Sequence, residues 1–345
     1  MAAGHDNEMG TKGSTLEHYL KSPTLLILVF VVLGILVARI MGMSTLDTIM
    51  TVMYFMGIAL SLNIIMGFAG YVSFGHAVFL GLGGYAYVLM VYFIKPLADL
   101  QNTGYGLGAF LVAVLAGLFA AAVAASVGAA VLRLRGAFFA IATIGLDFTA
   151  LYLFKAVVPE LNPEQFFGAQ IILPADRIVE KDLVFNAMFL TLVILLAVNY
   201  YIRKSPFGVG LTAIKEDEDA AEVLGVPTTM YKIVAFTLAG FFTGMVGALF
   251  SLNGGGVDET LFNLGHSIDM IVMIVIGGLG TVLGPVIGSL IYFELYDLLL
   301  VHYPGVNLII LGVIVAIVVL FFPEGLIGLL RKYRVRGVRL RDVLE

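Results

Sequence analysis

Long apolar runs separated by short polar breaks account for nearly the whole chain. Hydrophobic runs occur near 24–43, 47–66, 76–94, 106–132, 137–158, 183–203, 231–252, 267–280, 283–300 and 306–322. They are continuous rather than alternating, which predicts helices and argues against a β-barrel, whose strands alternate residue by residue. In lipid the backbone must satisfy its own hydrogen bonds, and a helix does so within one segment. The fold class expected is therefore all-α, a polytopic integral membrane protein of about ten hydrophobic segments, some of them short and broken by glycine.

One polar island interrupts this pattern, RKSPFGVGLTAIKEDEDAAEVLGVPTT at 203–229. Ser205, Pro206 and Gly208 break the preceding helix. Ile214, Ala220, Ala221 and Leu224 then recur at roughly helical spacing until Gly225 and Pro227 stop the segment, so one short helix is expected outside the membrane. Glu216, Asp217, Glu218 and Asp219 fall in its first turns, where the positive end of the helix dipole accommodates them. Ala220, Ala221 and Gly225 leave part of its surface small enough for a partner protein to approach. The island reads as a docking handle.

Composition agrees with the pattern. Of 345 residues 60% are hydrophobic and 12% charged, enough apolar sequence for about ten spans of about 20 residues. The distribution of cations sets orientation, because cytoplasmic loops are enriched in Lys and Arg. Threading ten spans with the island inside also places Arg133, Arg135 and the basic tail from Arg331 to Arg341 inside, while the opposite loops hold only Lys95, Arg177 and Lys181. Both termini are expected in the cytoplasm. The chain divides into a polar tail (1–23), a single transmembrane domain (24–330) with the handle loop 204–229, and a basic tail (331–345). No cysteine is present, which excludes disulfides and thiol chemistry. Gly-Lys never occurs, so there is no phosphate-binding loop, and His-Glu-x-x-His and Gly-x-Ser-x-Gly are missing too. Neither an enzyme nor a nucleic-acid binder is indicated.

Two segments, one in each half, are broken by glycine: GFAGYVSFGHAVFLGLGGYAY from Gly67, and GGLGTVLGPVIG from Gly277 to Gly288. Paired interruptions point to discontinuous helices beside a transport pathway and to an internal repeat, although similarity between the halves is too thin to establish one. Gly75, Gly277, Gly278, Gly280 and Gly284 are the pathway candidates of this kind. Ser73 and His76 either contact a passing polar solute or satisfy backbone groups freed by the break. Asp147 either serves transport or bonds a neighbouring helix; Lys155, eight residues on and roughly 12 Å along the axis, is too far to pair with it. Asp269, Glu294 and Asp297 fall near segment ends, where solvation or partner contact is expected. Small residues four apart, Gly117, Ala121 and Ala125, Gly240 and Gly244, and Gly284 and Gly288, mark close helix packing.

From about Asp47 to Leu330 the chain resembles the permeases of the branched-chain amino acid ABC importers, of the LivM-like type. The matching pieces are GYVSFGHAVFLGLGGYAY at 70–87, LRGAFFAIATIG at 134–145, PFGVGLTAIKEDEDAAEVLGV at 206–226, GGLGTVLGPVIGS at 277–289 and FPEGLIGL at 322–329. The resemblance implies that Asp219, Ala220, Ala221 and Gly225 belong to a coupling helix, with Asp in place of the usual Glu, and that residues 216–225 seat in a cytoplasmic ATPase. It implies a second permease subunit, expected as a heterodimer partner, two ATPase subunits that bind ATP and Mg, and a periplasmic solute-binding protein. The implied location is a bacterial inner membrane. Cofactors are expected in the partners and none in this chain.

Two features depart from the family. The outer loop reads EQFFGAQIILPAD at 164–176, with Phe166 and Phe167 where small and polar residues are usual, and Asp147 stands where the family has a small residue. These departures weaken the expectation of the usual solute; the resemblance implies a branched-chain amino acid or a related small polar molecule, and urea and short amides are carried by related permeases. The competing class is a secondary transporter driven by an ion gradient, with Asp147 and His76 as ion sites.

Overall fold

A computed structural model describes residues 43–162, 166 and 168–302, with a few isolated positions beyond. The tail 1–23, the run 24–43 up to residue 42, and nearly all of 306–345 lie outside the described residues. The first helix, α1 (Met43–Leu62), runs on into a π-turn at Asn63–Gly67. A coil at Gly70–Ser73 leads to α2 (Ala77–Phe93), which bends by 111° at Ile94 into α3 (Lys95–Gln101). Then follow α4 (Leu107–Val131), α5 (Ala137–Leu161), the short strand β1 (Ile171–Ile172) and α6 (Lys181–Lys204). Past the polar island, which forms α7 (Pro206–Glu216) and α8 (Glu218–Val223), come α9 (Thr228–Asn253), β2 (Gly256–Val257), α10 (Leu264–Gly277) and α11 (Gly284–His302). The strands β1 and β2 pair antiparallel.

Among the described residues, five helices are long and apolar enough to cross a membrane, or six if the bent pair α2–α3 counts as one span. This is fewer than the ten expected. Two runs lie largely outside the described residues, and α10 has only 14 residues. The expected break between 267 and 300 is present, from Gly278 to Leu283.

The centre of the bundle is α9, whose middle is buried all round from Phe242 to Leu249. It lies against α4, α2, α1 and α6. Without a hydrophobic force separating helices from lipid tails, such contacts depend on close van der Waals approach. The glycines provide it: a Cβ on Gly83 would fall 1.9 Å from the Gly244 carbonyl oxygen, and one on Gly247 would fall 2.1 Å from that of Leu80. On α4 the contact stripe is Gly117, Ala120, Ala124 and Gly128, all buried, rather than the expected Gly117, Ala121 and Ala125. An interval of strictly four outruns the 3.6-residue turn, whereas steps of three and four stay on one face. The Gly240 and Gly244 positions meet Ala124 and Ala120 across this seam.

Candidate coupling site

The polar island folds as two helices rather than one, α7 (Pro206–Glu216) and α8 (Glu218–Val223). Ser205 caps α7 by accepting from the Gly208 amide, with Pro206 in the first turn where its missing N–H costs nothing. Asp217 then turns extended and caps α8, accepting from the Ala220 amide at 3.0 Å. A second cap thus interrupts what spacing alone makes continuous. Glu216 closes α7, while Glu218 and Asp219 occupy the first turn of α8. Gly225, at φ 89°, ends α8: its amide bonds the Glu222 carbonyl and that of Val226 bonds Ala221, a paired closure that needs a left-handed residue.

α8 is fastened to the bundle from beneath. Glu218 Oε1 lies 2.6 Å from Lys232 Nζ, and Tyr71 donates its hydroxyl to Glu218 Oε2. Lys232, whose side chain is 2% exposed, also donates to the Tyr71 oxygen at 3.0 Å and to the Leu132 carbonyl at 2.9 Å. From outside, Arg135 gathers Glu218 at 3.4 Å, Asp219, and Glu222 at 3.3 Å. Burial alone would push the Glu218 carboxyl up. The hydrogen bonds from Lys232 and Tyr71, with the charges of Lys232 and Arg135, outweigh it and hold Glu218 below its ordinary range. The bond to Asp219, with the neighbouring carboxylates, pushes Arg135 up. Ala221, expected on the docking surface, is instead buried against this underside, as Glu218 largely is. The outer surface presents Ala220, Val223 and Leu224, the last two 88% and 82% exposed, beside the exposed carboxylates of Asp219 and Glu222.

α7 is held by a second knot, and both glycine-broken segments enter it. A Cβ on Gly280 would fall 2.6 Å from the Gly67 carbonyl oxygen, so the two breaks touch backbone to backbone. Asn63, in the π-turn, accepts from the Gly280 amide at 3.3 Å and donates to the Thr281 carbonyl at 3.1 Å and to Asn199 Oδ1 at 3.0 Å. Lys215 of α7 donates to the Gly67 carbonyl at 3.0 Å, and Arg203 donates to that of Gly280 at 2.5 Å. Burial pushes the Lys215 ammonium down, with Arg203 adding to the effect. A pocket of about 330 Å³ separates α7 and α8 from Ala69–Val72 and Arg135–Gly136.

The remaining pathway candidates gather deeper, at the start of α2. Gly75 lies against the Thr143 carbonyl, and the Phe74 amide bonds Thr143 Oγ1. Ser73, His76 and Asp147 are buried and none completes a side-chain hydrogen bond. The His76 ring stacks edge-on to Phe79 and Phe236 beside the Ala239 backbone. Asp147 faces the Val78 amide and the Ser267 hydroxyl, the latter already bonded by the Ala77 amide. Gly277, Gly278 and Gly284 line the second break, where a Cβ on Gly277 would fall 1.8 Å from the Gly284 oxygen. Lys155 pairs with Glu259 at 3.6 Å, and Asp269 accepts from Tyr292 at 2.5 Å, an internal bond in place of the expected solvation. Phe166, one of the two atypical loop aromatics, packs on Tyr92 and Phe93; Phe167 lies outside the described residues.

Sequence reasoning missed Lys232, Tyr71, Arg135, Asn63 and Asn199. A lysine two residues inside an apolar run and two asparagines within others were the available signals, since such groups are costly in a membrane without partners.

Residues 44–322 match the model of a family described as the permease component of branched-chain amino acid transport systems. The high-affinity branched-chain amino acid transport system permease protein LivM of Escherichia coli K12 is 27% identical over 92% of this chain and 77% of its own length. Its Salmonella typhimurium counterpart is 27% identical over 82% of this chain and 69% of its own. The autoinducer 2 import system permease protein LsrC of Yersinia pestis is 27% identical over 41% of this chain and 45% of its own. No solved structure matches. With a helical bundle, a fastened polar handle and a family match across most of its length, the chain belongs to the branched-chain amino acid transport system permeases, the membrane-spanning subunits of ABC importers.

Proposed function

We propose that this chain, paired with a second permease subunit, encloses a path through the bacterial inner membrane for branched-chain amino acids or a related small polar solute. A periplasmic binding protein delivers the solute, and two cytoplasmic ATPase subunits, which bind ATP and Mg, drive the cycle. Residues 204–229 form the coupling loop, with both termini on the same side. The path runs beside Ser73, Gly75, His76 and Asp147 and the second break at Gly277, Gly278, Gly280 and Gly284.

The observation that carries this reading is the tip of α8. Val223 and Leu224 are almost fully exposed on a short, acidic helix whose opposite side is locked to the bundle. Apolar side chains on a lipid-facing span need no explanation, but a pair at a charged loop tip, rimmed by Asp219 and Glu222, fits a protein partner. Purifying the chain from its own membranes in mild detergent tests this. The native chain is expected to retain an ATPase, and a Val223→Glu, Leu224→Glu variant to lose it while staying monodisperse. An ATPase retained by the variant places docking elsewhere.

A further inference from the structure

We infer, resting on the proposed coupling role of α8, that Lys232 is a positioning residue that ties α8 to the Gly70–His76 segment, so that a displacement imposed on the handle is delivered to the start of α2. Its ammonium has three acceptors on three different elements: Glu218 on α8, Tyr71 in the segment after the π-turn, and Leu132 at the end of α4. None lies on its own helix. Tyr71 follows Gly70, at φ 76°, and precedes the buried Ser73 and His76 by two and five positions. From the Tyr71 ring a chain of edge-to-face contacts continues inward, to Phe139 at 5.2 Å, from Phe139 to Phe236 at 6.1 Å, and from Phe236 to His76 at 6.0 Å. The fastening and the deeper polar cluster are therefore one packed unit.

Stability alone does not account for a lysine here. Replacing a buried ion pair by apolar residues of similar volume is often neutral or stabilising, because desolvating two charges offsets most of their attraction. A methionine would fill a similar volume without that cost. What the apolar residue cannot do is bind three separate segments directionally, so that none moves without the others. Spatial continuity alone does not establish transmission; a response to the driving partner does.

The test is hydrogen exchange on the chain held with its ATPase, with and without ATP, Mg and vanadate. In the native complex, nucleotide is expected to change protection at both 217–226 and 70–80. In a Lys232→Met, Glu218→Gln variant, which leaves no buried charge unpaired, the ATPase stays bound and 217–226 still responds, but the response at 70–80 is lost. Tyr71→Phe, which removes one hydroxyl and keeps the ring, is expected to weaken the response at 70–80 and decides the matter should the double variant not reach the membrane. If 70–80 responds as in the native chain when the link is cut, or never responds in the native complex, the inference is overturned while the coupling role stands. If the native chain holds no ATPase, the coupling role falls and this inference with it.

Discussion

Lys232 and Asp147 are buried to the same degree, 1% exposed each, yet their surroundings treat them oppositely. Lys232, where α9 meets the polar island, has a carboxylate, a hydroxyl and a carbonyl at bonding distance. Asp147, in the middle of α5, faces an amide and a hydroxyl without completing a bond to either. Burial by itself therefore does not distinguish a fastening from an unbonded polar group. The number of completed bonds does, because each one lost exposes the cost of desolvation in full.

The most severe break in this contrast comes from removing one partner at the Lys232 end. Glu218→Leu leaves a buried ammonium with only the Tyr71 hydroxyl and the Leu132 carbonyl. Breaking a buried pair in this way costs about 3 kcal/mol or more, since the remaining charge stays desolvated. Chemical unfolding in detergent should show the loss, and unfolding at the native midpoint would mean that Glu218 carries none of the burden assigned to it. Lys232→Met, Glu218→Gln is expected to lose far less, as both charges go together.

Glycine positions sharpen the contrast sterically. At Gly75, near Asp147, a Cβ would lie 2.3 Å from the Thr143 carbonyl oxygen. Backbone must shift, and overpacking of this kind costs about 1–3 kcal/mol. At Gly70, near Lys215, the nearest atom is the flexible Lys215 Cγ at 3.0 Å, and the chief cost is the left-handed φ of 76°, about 1–2 kcal/mol. Gly75→Ala should thus lower the unfolding midpoint at least as much as Gly70→Ala; the reverse order would show that the α2 entrance is looser than its contacts indicate.

How far the sequence disclosed these regions follows from the same physics. Apolar runs are long-range signals, so the helical class, the break between α10 and α11 and the extent of the polar island were legible. The division of the island at Asp217 was not, because Asp217 reads equally as a first-turn acid or as a cap until the partner of its carboxylate is known. Which side of α8 faces outward depends on Lys232, because a helical wheel drawn through the whole island loses its phase once a second cap at Asp217 resets the helix. The signal at Lys232 was weak, since a lysine this near the edge of an apolar run ordinarily extends its ammonium to water. The meeting of Gly67 with Gly280 joins residues more than 200 positions apart, which no local pattern encodes.

Acidity offers a smaller effect. Glu218 is held below its ordinary value of 4.5 in the fold, so its contribution to stability is complete above that value and is lost as pH falls through the lower folded one. Other carboxylates titrate in the same range, so the informative quantity is a difference. Between pH 5 and 3 the native chain should lose more stability than the Lys232→Met, Glu218→Gln variant. Parallel curves would mean that Lys232 and Tyr71 do not favour the charged carboxylate.

The smallest effect on stability is expected at Asp147. Asp147→Asn preserves the shape of the side chain, removes the ability to ionise, and forfeits no completed hydrogen bond; the change in unfolding free energy should stay within about 1 kcal/mol, the net value of a typical bond. A loss above about 2 kcal/mol would reveal a bond to the Val78 amide or Ser267 that matters to the fold, making Asp147 a second fastening and erasing its contrast with Lys232. Stability and transport then separate the two remaining roles. A variant that folds as the native chain and carries solute as well marks the carboxyl as dispensable. One that folds equally well but carries none places the carboxyl of Asp147 on the path, where an unbonded polar group beside the start of α2 has its next partner in the moving solute.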